Sequence, residues 1–275
     1  MGDAFTFAEG MFRCPFTLYS AQAGAPVMIV MPALGVAARK YHALAEALLA
    51  AGCNVLLADW PGQGASEPRP NRRFDYGYRD LLDDFVPKLL AVAAQHFPGS
   101  APVLLGHSLG GHIATLYAAA NPRGGVKVIG VACGNIHYRH WRGVRRLMTP
   151  SAALTFNLLT AVLGYLPGKA IGFAGQEARR LMRDWGAVAW NGHFQHLGLV
   201  LSPAANNPTP ALYIHIEGDQ FAPLASTRGL AELIQQPVQV HCMPSPRPPQ
   251  ENPHSAWLRA PQAVVEQIHG WLASV

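Results

Sequence analysis

The chain has 275 residues, half of them hydrophobic and only 13% charged, which is long enough for a full buried core and too apolar for a disordered or fibrous protein. Its formal charge of +5 is mild and rests largely on arginines, and with no recognised binding motif beside it, nucleic acid is not an expected partner. Four cysteines lie far apart with no C-x-x-C pair, and Cys53 and Cys133 adjoin apolar runs, the pattern of buried free thiols in a reducing compartment.

The amino terminus has no basic segment followed by an apolar stretch, so no secretory signal is expected. Met1-Gly2 with Thr6 fits a loose myristoylation pattern, but Asp3 sits beside the acceptor glycine and no basic cluster reinforces an anchor. The longest apolar stretch, residues 151–166, is interrupted by Thr155, Asn157 and Thr160 and falls short of the ~20 residues a membrane span requires. A soluble, cytoplasmic protein without stable membrane insertion is expected.

In chain order, the first ~25 residues alternate aromatic and polar positions and suit one or two edge strands. Residues 27–31 (V-M-I-V-M) form a continuous apolar run, as in a parallel strand buried on both faces. After the break P-A-L-G, residues 41–51 read as a helix ended by Gly52, and 55–58 as the next buried strand. D-W-P-G-Q-G-A-S at 59–66 is loop, and 75–97 is helical in character with Pro87 as a kink or split. Strands follow at 126–132, 212–216 and 238–243, with helices at 227–234 and 261–272. Strand alternating with helix implies an α/β fold built on an open, twisted, mostly parallel sheet. The stretch 137–206 departs from that rhythm: no strand signal, several helix-like segments, tryptophans and arginines. It reads as a helical cap inserted into a core made of 1–136 and 207–275, at the sheet edge where ligands bind.

The chemistry centres on residues 103–112, V-L-L-G-H-S-L-G-G-H. An apolar run enters Gly106, Ser108 follows at the apex, and a helix begins after it. A Cβ at Gly106 or Gly110 would collide with the neighbouring strand or helix. The serine hydroxyl then sits at a helix amino end, where unpaired N–H groups favour a developing negative charge.

A serine needs a base, and the base needs an acid to hold its tautomer. Of twelve histidines, His254 lies in the loop after the last strand, whereas His241 falls within a strand and His269 near the end of a helix. His107 adjoins the serine and suits shaping of the pocket. I-E-G-D-Q at 216–220 puts Asp219 just past a strand, with Glu217 as the alternative and Asp184 lacking a strand to fix it. The oxyanion donors expected are the backbone N–H groups of Leu109 and of Leu34, with Ala33 second to Leu34. Ala33, His107 and Phe221 are expected to line the substrate pocket.

These residues together resemble the α/β-hydrolase superfamily from about residue 26 to the end. G-H-S-L-G-G is similar to its nucleophile elbow, and D-W-P-G-Q-G-A-S to a D-x-x-G-x-G-x-S loop that usually has a structural role. C-G-N-I-H-Y-R-H-W at 133–141, L-G-Y-L-P-G-K at 163–169, R-D-W at 183–185 and D-Q-F-A-P at 219–223 resemble a bacterial group of predicted α/β hydrolases whose substrates are unassigned. The resemblance implies a serine hydrolase cleaving an ester or related acyl bond, with Ser108, Asp219 and His254 as triad and no metal or organic cofactor. A silent binding member of the fold, or an acyltransferase with the same residues, stays open.

Three signals sit outside that set. Arg139, Arg142, Arg145 and Arg146 suit a solvated face first and an anionic substrate or membrane surface second. His193 and His196 have helix spacing but no third ligand at a recognised distance. Residues 152–166 either line an acyl pocket or pack the cap on the core. The substrate expected is a small or lipid-like acyl compound of undefined chain length, and the sequence leaves oligomeric state open.

Overall fold

A computed structural model describes residues 3–8, 10–173, 175–234, 239–245 and 251–275. Met1 and Gly2, where the myristoylation pattern begins, lie outside the described residues, as do Val238 at the start of the last expected strand and part of the loop before His254.

Among the described residues eight strands form one sheet. In chain order they are β1 (Ala4–Phe7), β2 (Phe12–Tyr19), β3 (Val27–Met31), β4 (Asn54–Ala58), β5 (Pro102–His107) and β6 (Lys127–Val131), then β9 (Ala211–Ile216) and β10 (Gln239–Met243). The spatial order is β1-β2-β4-β3-β5-β6-β9-β10. From β4 to β10 every pairing is parallel; on the other side β2 runs antiparallel to β4, and β1 antiparallel to β2 forms the edge. The chain leaves β3 for β4 on one side and returns as β5 on the other. Loops after β3 and β5 therefore face each other beyond the carboxyl ends of the strands, the crevice where open α/β sheets hold ligands.

The apolar runs are buried because both faces of the sheet are covered. Ile29, Met31, Leu104 and Val128 pack on one face; Met28, Val30, Leu105 and Ile129 alternate onto the other. The second face is covered by α1 (His42–Ala50) and by the last helix, whose Val264, Ile268 and Trp271 reach the sheet. The first face receives a helical stretch formed by α2 (Tyr78–Asp80), a π turn (Leu81–Phe85) and α3 (Val86–His96), together with α4 (Leu109–Ala120). The expected helix at 75–97 thus starts later and is interrupted. Pro87 has no N–H to give an i−4 carbonyl, and the π turn ends at Phe85, two residues before it.

The segment between β6 and β9 carries α5 (Met148–Leu163) and α6 (Arg179–Asn191), packed on each other. It is not free of strand, contrary to expectation: β7 (Tyr165–Pro167) and β8 (Gln176–Ala178) pair antiparallel. Three-residue strands, one ending in proline, are too short to leave an alternating pattern in sequence. The chain ends with α7 (Leu224–Ala231), α8 (Pro253–Ala256) and α9 (Gln262–Leu272). Among the described residues no helix is long and apolar enough to cross a membrane. Cys14, Cys53 and Cys133 are buried free thiols, and Cys242 is exposed.

Candidate active site

Ser108 sits between β5 and α4 with φ 53° and ψ −112°, in the left-handed region that non-glycine residues seldom occupy. The crossing that forces this turn is tight. A Cβ on Gly106 would lie 2.1 Å from the carbonyl carbon of Gly110, and one on Gly110 would lie 2.1 Å from the carbonyl oxygen of Met31. Both obstacles are backbone, so neither glycine tolerates a side chain. The strained serine is held by its own N–H donating to Val131 O at 3.2 Å and its carbonyl accepting from Gly111 N at 2.9 Å.

Asp219 follows β9 with its side chain fully buried. Its Oδ1 accepts the backbone N–H groups of Phe221 (2.8 Å) and Ala222 (3.1 Å), which leaves Oδ2 to face His254 Nδ1 at 2.8 Å. A carboxylate only accepts, so Nδ1 carries a proton, and in the neutral imidazole this tautomer leaves the lone pair on Nε2. Glu217 is exposed, and Asp184 is spent on the N–H of Tyr78 at 2.9 Å. His241 and His269 are exposed.

Ser108 and His254 line one pocket of about 360 Å³ together with Ala33, Leu34, Leu109 and Phe221. Among the described residues no hydrogen bond joins the serine hydroxyl to His254. Phe221, 45% exposed, lays its ring 5.4 Å from the His254 ring at the pocket rim. The apolar wall comes from the segment between β6 and β9: Met148, Ala152 and Phe156 of α5, Phe173, and Trp185 of α6. Residues 152–166 both line this pocket, through Ala152 and Phe156, and pack on the core, through Ala153 and Phe156. Thr149 Oγ1 is a polar group in that wall, buried with no partner among the described residues. A larger cleft of about 520 Å³ adjoins the site at Val36 and is rimmed by Arg39, Lys40, Arg69 and Lys169.

Sequence reasoning treated His107 only as a pocket residue and missed Tyr41. His107 is completely buried; its Nε2 lies 2.8 Å from His254 O and its Nδ1 lies 2.7 Å from Tyr41 Oη. A carbonyl accepts only, so Nε2 carries the proton, and Nδ1 then accepts from the Tyr41 hydroxyl. Burial, reinforced by the neighbouring His254, pushes the His107 pKa well below the usual histidine range, consistent with this neutral form. Tyr41 in turn accepts the N–H of Ala33 at 2.7 Å. One directional chain thus runs from Ala33 through Tyr41 and His107 to the backbone of His254.

That chain also separates the two oxyanion candidates after β3. The Ala33 N–H is committed to Tyr41, whereas the Leu34 N–H has no partner among the described residues. The Leu109 N–H is at the first position of α4, where the helix supplies no acceptor. The loop at 59–66 braces this region: Trp60 Nε1 donates to Pro32 O at 2.9 Å, and Asp59 accepts from Ala38 N and Ala65 N at 2.7 and 3.0 Å. His112, its pKa pushed down to about 4 by burial, is likewise neutral and bonded to Gly134 O and Tyr78 Oη. His193 and His196 are exposed, and no described group of three His, Cys, Asp or Glu is arranged to hold a metal ion.

The family model described as "Alpha/beta hydrolase family" matches residues 28–267. The chain is 26% identical over 238 residues to the magnesium-chelatase 30 kDa subunit of Rhodobacter capsulatus, covering 75% of this chain and 79% of that protein. It is 34% identical over 104 residues to a 2-hydroxy-6-oxononadienedioate/2-hydroxy-6-oxononatrienedioate hydrolase of Cupriavidus pinatubonensis, a match of 37% of this chain and 34% of that protein. Among solved structures, a soluble variant of monoglyceride lipase from Saccharomyces cerevisiae superposes with a TM-score of 0.70 at 15% identity, over 98% of this chain and 94% of that one. The enol-lactonase from Burkholderia xenovorans LB400 gives 0.63 at 16% identity, over 98% and 100%. At such identities the likeness to solved structures is one of fold.

Proposed function

The chain belongs to the α/β-hydrolase family, and from that premise we propose that it is a serine hydrolase acting on an ester or related acyl bond through an acyl-enzyme. The observation that carries the reading is the 2.8 Å contact of His254 Nδ1 with the buried Asp219 Oδ2, beside a serine in the same pocket. Held in that tautomer, His254 offers Nε2 to the Ser108 hydroxyl. Ser108 Oγ attacks the acyl carbon, Nε2 takes its proton, and the Leu109 and Leu34 N–H groups stabilise the tetrahedral oxyanion. Each such donor is worth roughly 3 kcal/mol in the transition state. The leaving alcohol departs with the proton from Nε2. Water, deprotonated by the same nitrogen, then attacks the acyl-enzyme, and its proton returns to Ser108 as the acid leaves.

The segment 137–206 serves in this reading as a cap, and its apolar pocket wall favours an acyl chain over a polar acyl group. One observation favours a second reading, a family member that works as a subunit without hydrolysis: the 26% identity to a protein named as a chelatase subunit. The paired acid and base next to Ser108 weigh for the hydrolase. A fluorophosphonate probe decides between them. Labelling of the folded protein that is lost in Ser108→Ala supports the hydrolase; no labelling favours the subunit.

A further inference from the structure

Helix α5 carries no charged residue along its sixteen positions, M-T-P-S-A-A-L-T-F-N-L-L-T-A-V-L. Its inner face, with Met148, Ala153 and Phe156, packs on the core and pocket. On the outer face Leu154, Leu158 and Val162 recur at four-residue spacing and stand 56%, 61% and 68% exposed. Val144 and Leu147, at 86% and 66%, extend the apolar run into the turn ahead of the helix. A helix facing water on one side normally sets charged or polar residues there. An exposed apolar row of this length, interrupted by Ser151 and Thr155 but by no charge, marks a surface that something covers.

Charge selects the occupant. Arg139, Arg142, Arg145 and Arg146 are exposed just before α5, and Lys169 is exposed after it. None of these five joins an ion pair among the described residues. From 137 to 173 the sequence has no Asp or Glu at all. A second copy laid on this face would bring positive charge to positive charge with no acid to answer it, whereas anionic lipid headgroups supply the missing sign. We propose that this face docks reversibly on an anionic lipid surface, with α5 lying in the plane of the interface and the arginines at headgroup level. Sixteen residues are too few to span a bilayer, so the helix rests on it. Because the inner face of α5 walls the pocket beside Ser108, docking also brings that pocket to a source of acyl lipid. This consequence rests on the hydrolase reading; the docking itself does not.

The test uses Ser108→Ala protein, so that binding is measured without turnover, sedimented with extruded vesicles. One set is phosphatidylcholine alone and the other is three parts phosphatidylcholine to one part phosphatidylglycerol. The mixed vesicles are expected to carry the protein down, and added salt to release it. Leu154→Asp/Leu158→Asp, at exposed positions outside the pocket, should weaken partition at least about tenfold with an unchanged circular dichroism spectrum. Arg142→Gln/Arg145→Gln/Arg146→Gln should do the same and blunt the salt dependence, since each basic group near such a surface contributes about fivefold. The idea is overturned by absence of partition into the mixed vesicles or by equal partition of the Leu154→Asp/Leu158→Asp protein. It is overturned as well by a dimer in ultracentrifugation that the same variant dissolves, which would assign the face to a second copy. Failure of fluorophosphonate labelling would remove the hydrolase reading and leave the docking result standing.

Discussion

The imidazole Nε2 of His107 donates to the carbonyl oxygen of His254 at 2.8 Å, tying the residue before the elbow serine to the backbone of the proposed base. The same carbonyl accepts Trp257 Nε1 at 3.1 Å. The position of His254 is therefore set twice, through its ring by Asp219 and through its backbone by His107. Tyr41 closes the arrangement on the other side by pinning the Ala33 N–H, one residue before the Leu34 N–H, which has no partner among the described residues. Three loops from distant parts of the chain thus share one buried line of hydrogen bonds.

Tyr41→Phe should expose what that line does. The change leaves the ring in place but strands His107 Nδ1 and the Ala33 N–H, two buried groups whose loss of a partner costs about 1–3 kcal/mol each. If Tyr41 positions the reacting groups, kcat on a p-nitrophenyl ester falls about ten- to hundredfold with KM little changed, measured well below the melting temperature. The rate of fluorophosphonate labelling falls in parallel. A lowered melting temperature with normal kcat would restrict Tyr41 to stability.

Asp219→Asn tests the proposed acid. Asp219 Oδ1 is fixed by two backbone donors, so an asparagine keeps its carbonyl there and turns its NH2 toward His254 Nδ1. Donor then faces donor, and the imidazole must move its proton to Nε2, the wrong nitrogen for a base. A loss of about 10⁴-fold in kcat at near-normal stability is expected, by analogy with the same change in the Ser-His-Asp template. Activity within tenfold of wild type would remove Asp219 from the mechanism.

How much of this was readable beforehand follows from the range of each interaction. β3 and β4 stand out in sequence because helices on both faces of the sheet demand uninterrupted apolar runs. Ser108 and Asp219 are marked by local punctuation, glycines at an elbow and a glycine just past a strand. Tyr41 carries no such mark: it looks like one more apolar helix position, and its role depends on His107, 66 residues away in sequence. The choice of Leu34 over Ala33 as a free donor turns on that same long-range bond. β7 and β8 escaped because their pairing comes from the packing of the segment around them. The outer face of α5 escaped for the opposite reason, since apolar residues on a helix are by default assigned to a core.

Ala152→Phe examines the pocket. Ala152 is half-buried in the pocket wall contributed by α5, and a phenyl ring there takes up space that a long acyl chain would occupy. Wild-type kcat/KM should rise along a series of p-nitrophenyl esters as each added methylene finds apolar contact, up to about tenfold or more per carbon, until the pocket is full. In the variant the acetate ester should react as before while the longest esters lose at least about tenfold. A uniform loss across the series would place Ala152 away from the acyl chain.

Glu177 offers a pH test that is independent of catalysis. Its carboxyl is buried in β8, accepts from Gly175 N at 2.9 Å and Gln63 Nε2 at 3.0 Å, and has its pKa raised to about 7 by desolvation. The unfolded chain releases this proton near pH 4.5, so between that pH and about 7 the folded protein binds the extra proton. The contribution is therefore fully present below the unfolded value and is lost as pH rises through the folded one. The size is roughly 3 kcal/mol for a shift of this order. Glu177→Gln has nothing to titrate. Urea melts at pH 5 and pH 8 should show wild type losing more stability over that interval than the variant, by roughly that amount, whatever the absolute stability of the glutamine protein. Two parallel pH profiles would mean that Glu177 ionises near its ordinary value despite its burial, with the Gly175 and Gln63 donors offsetting the loss of water.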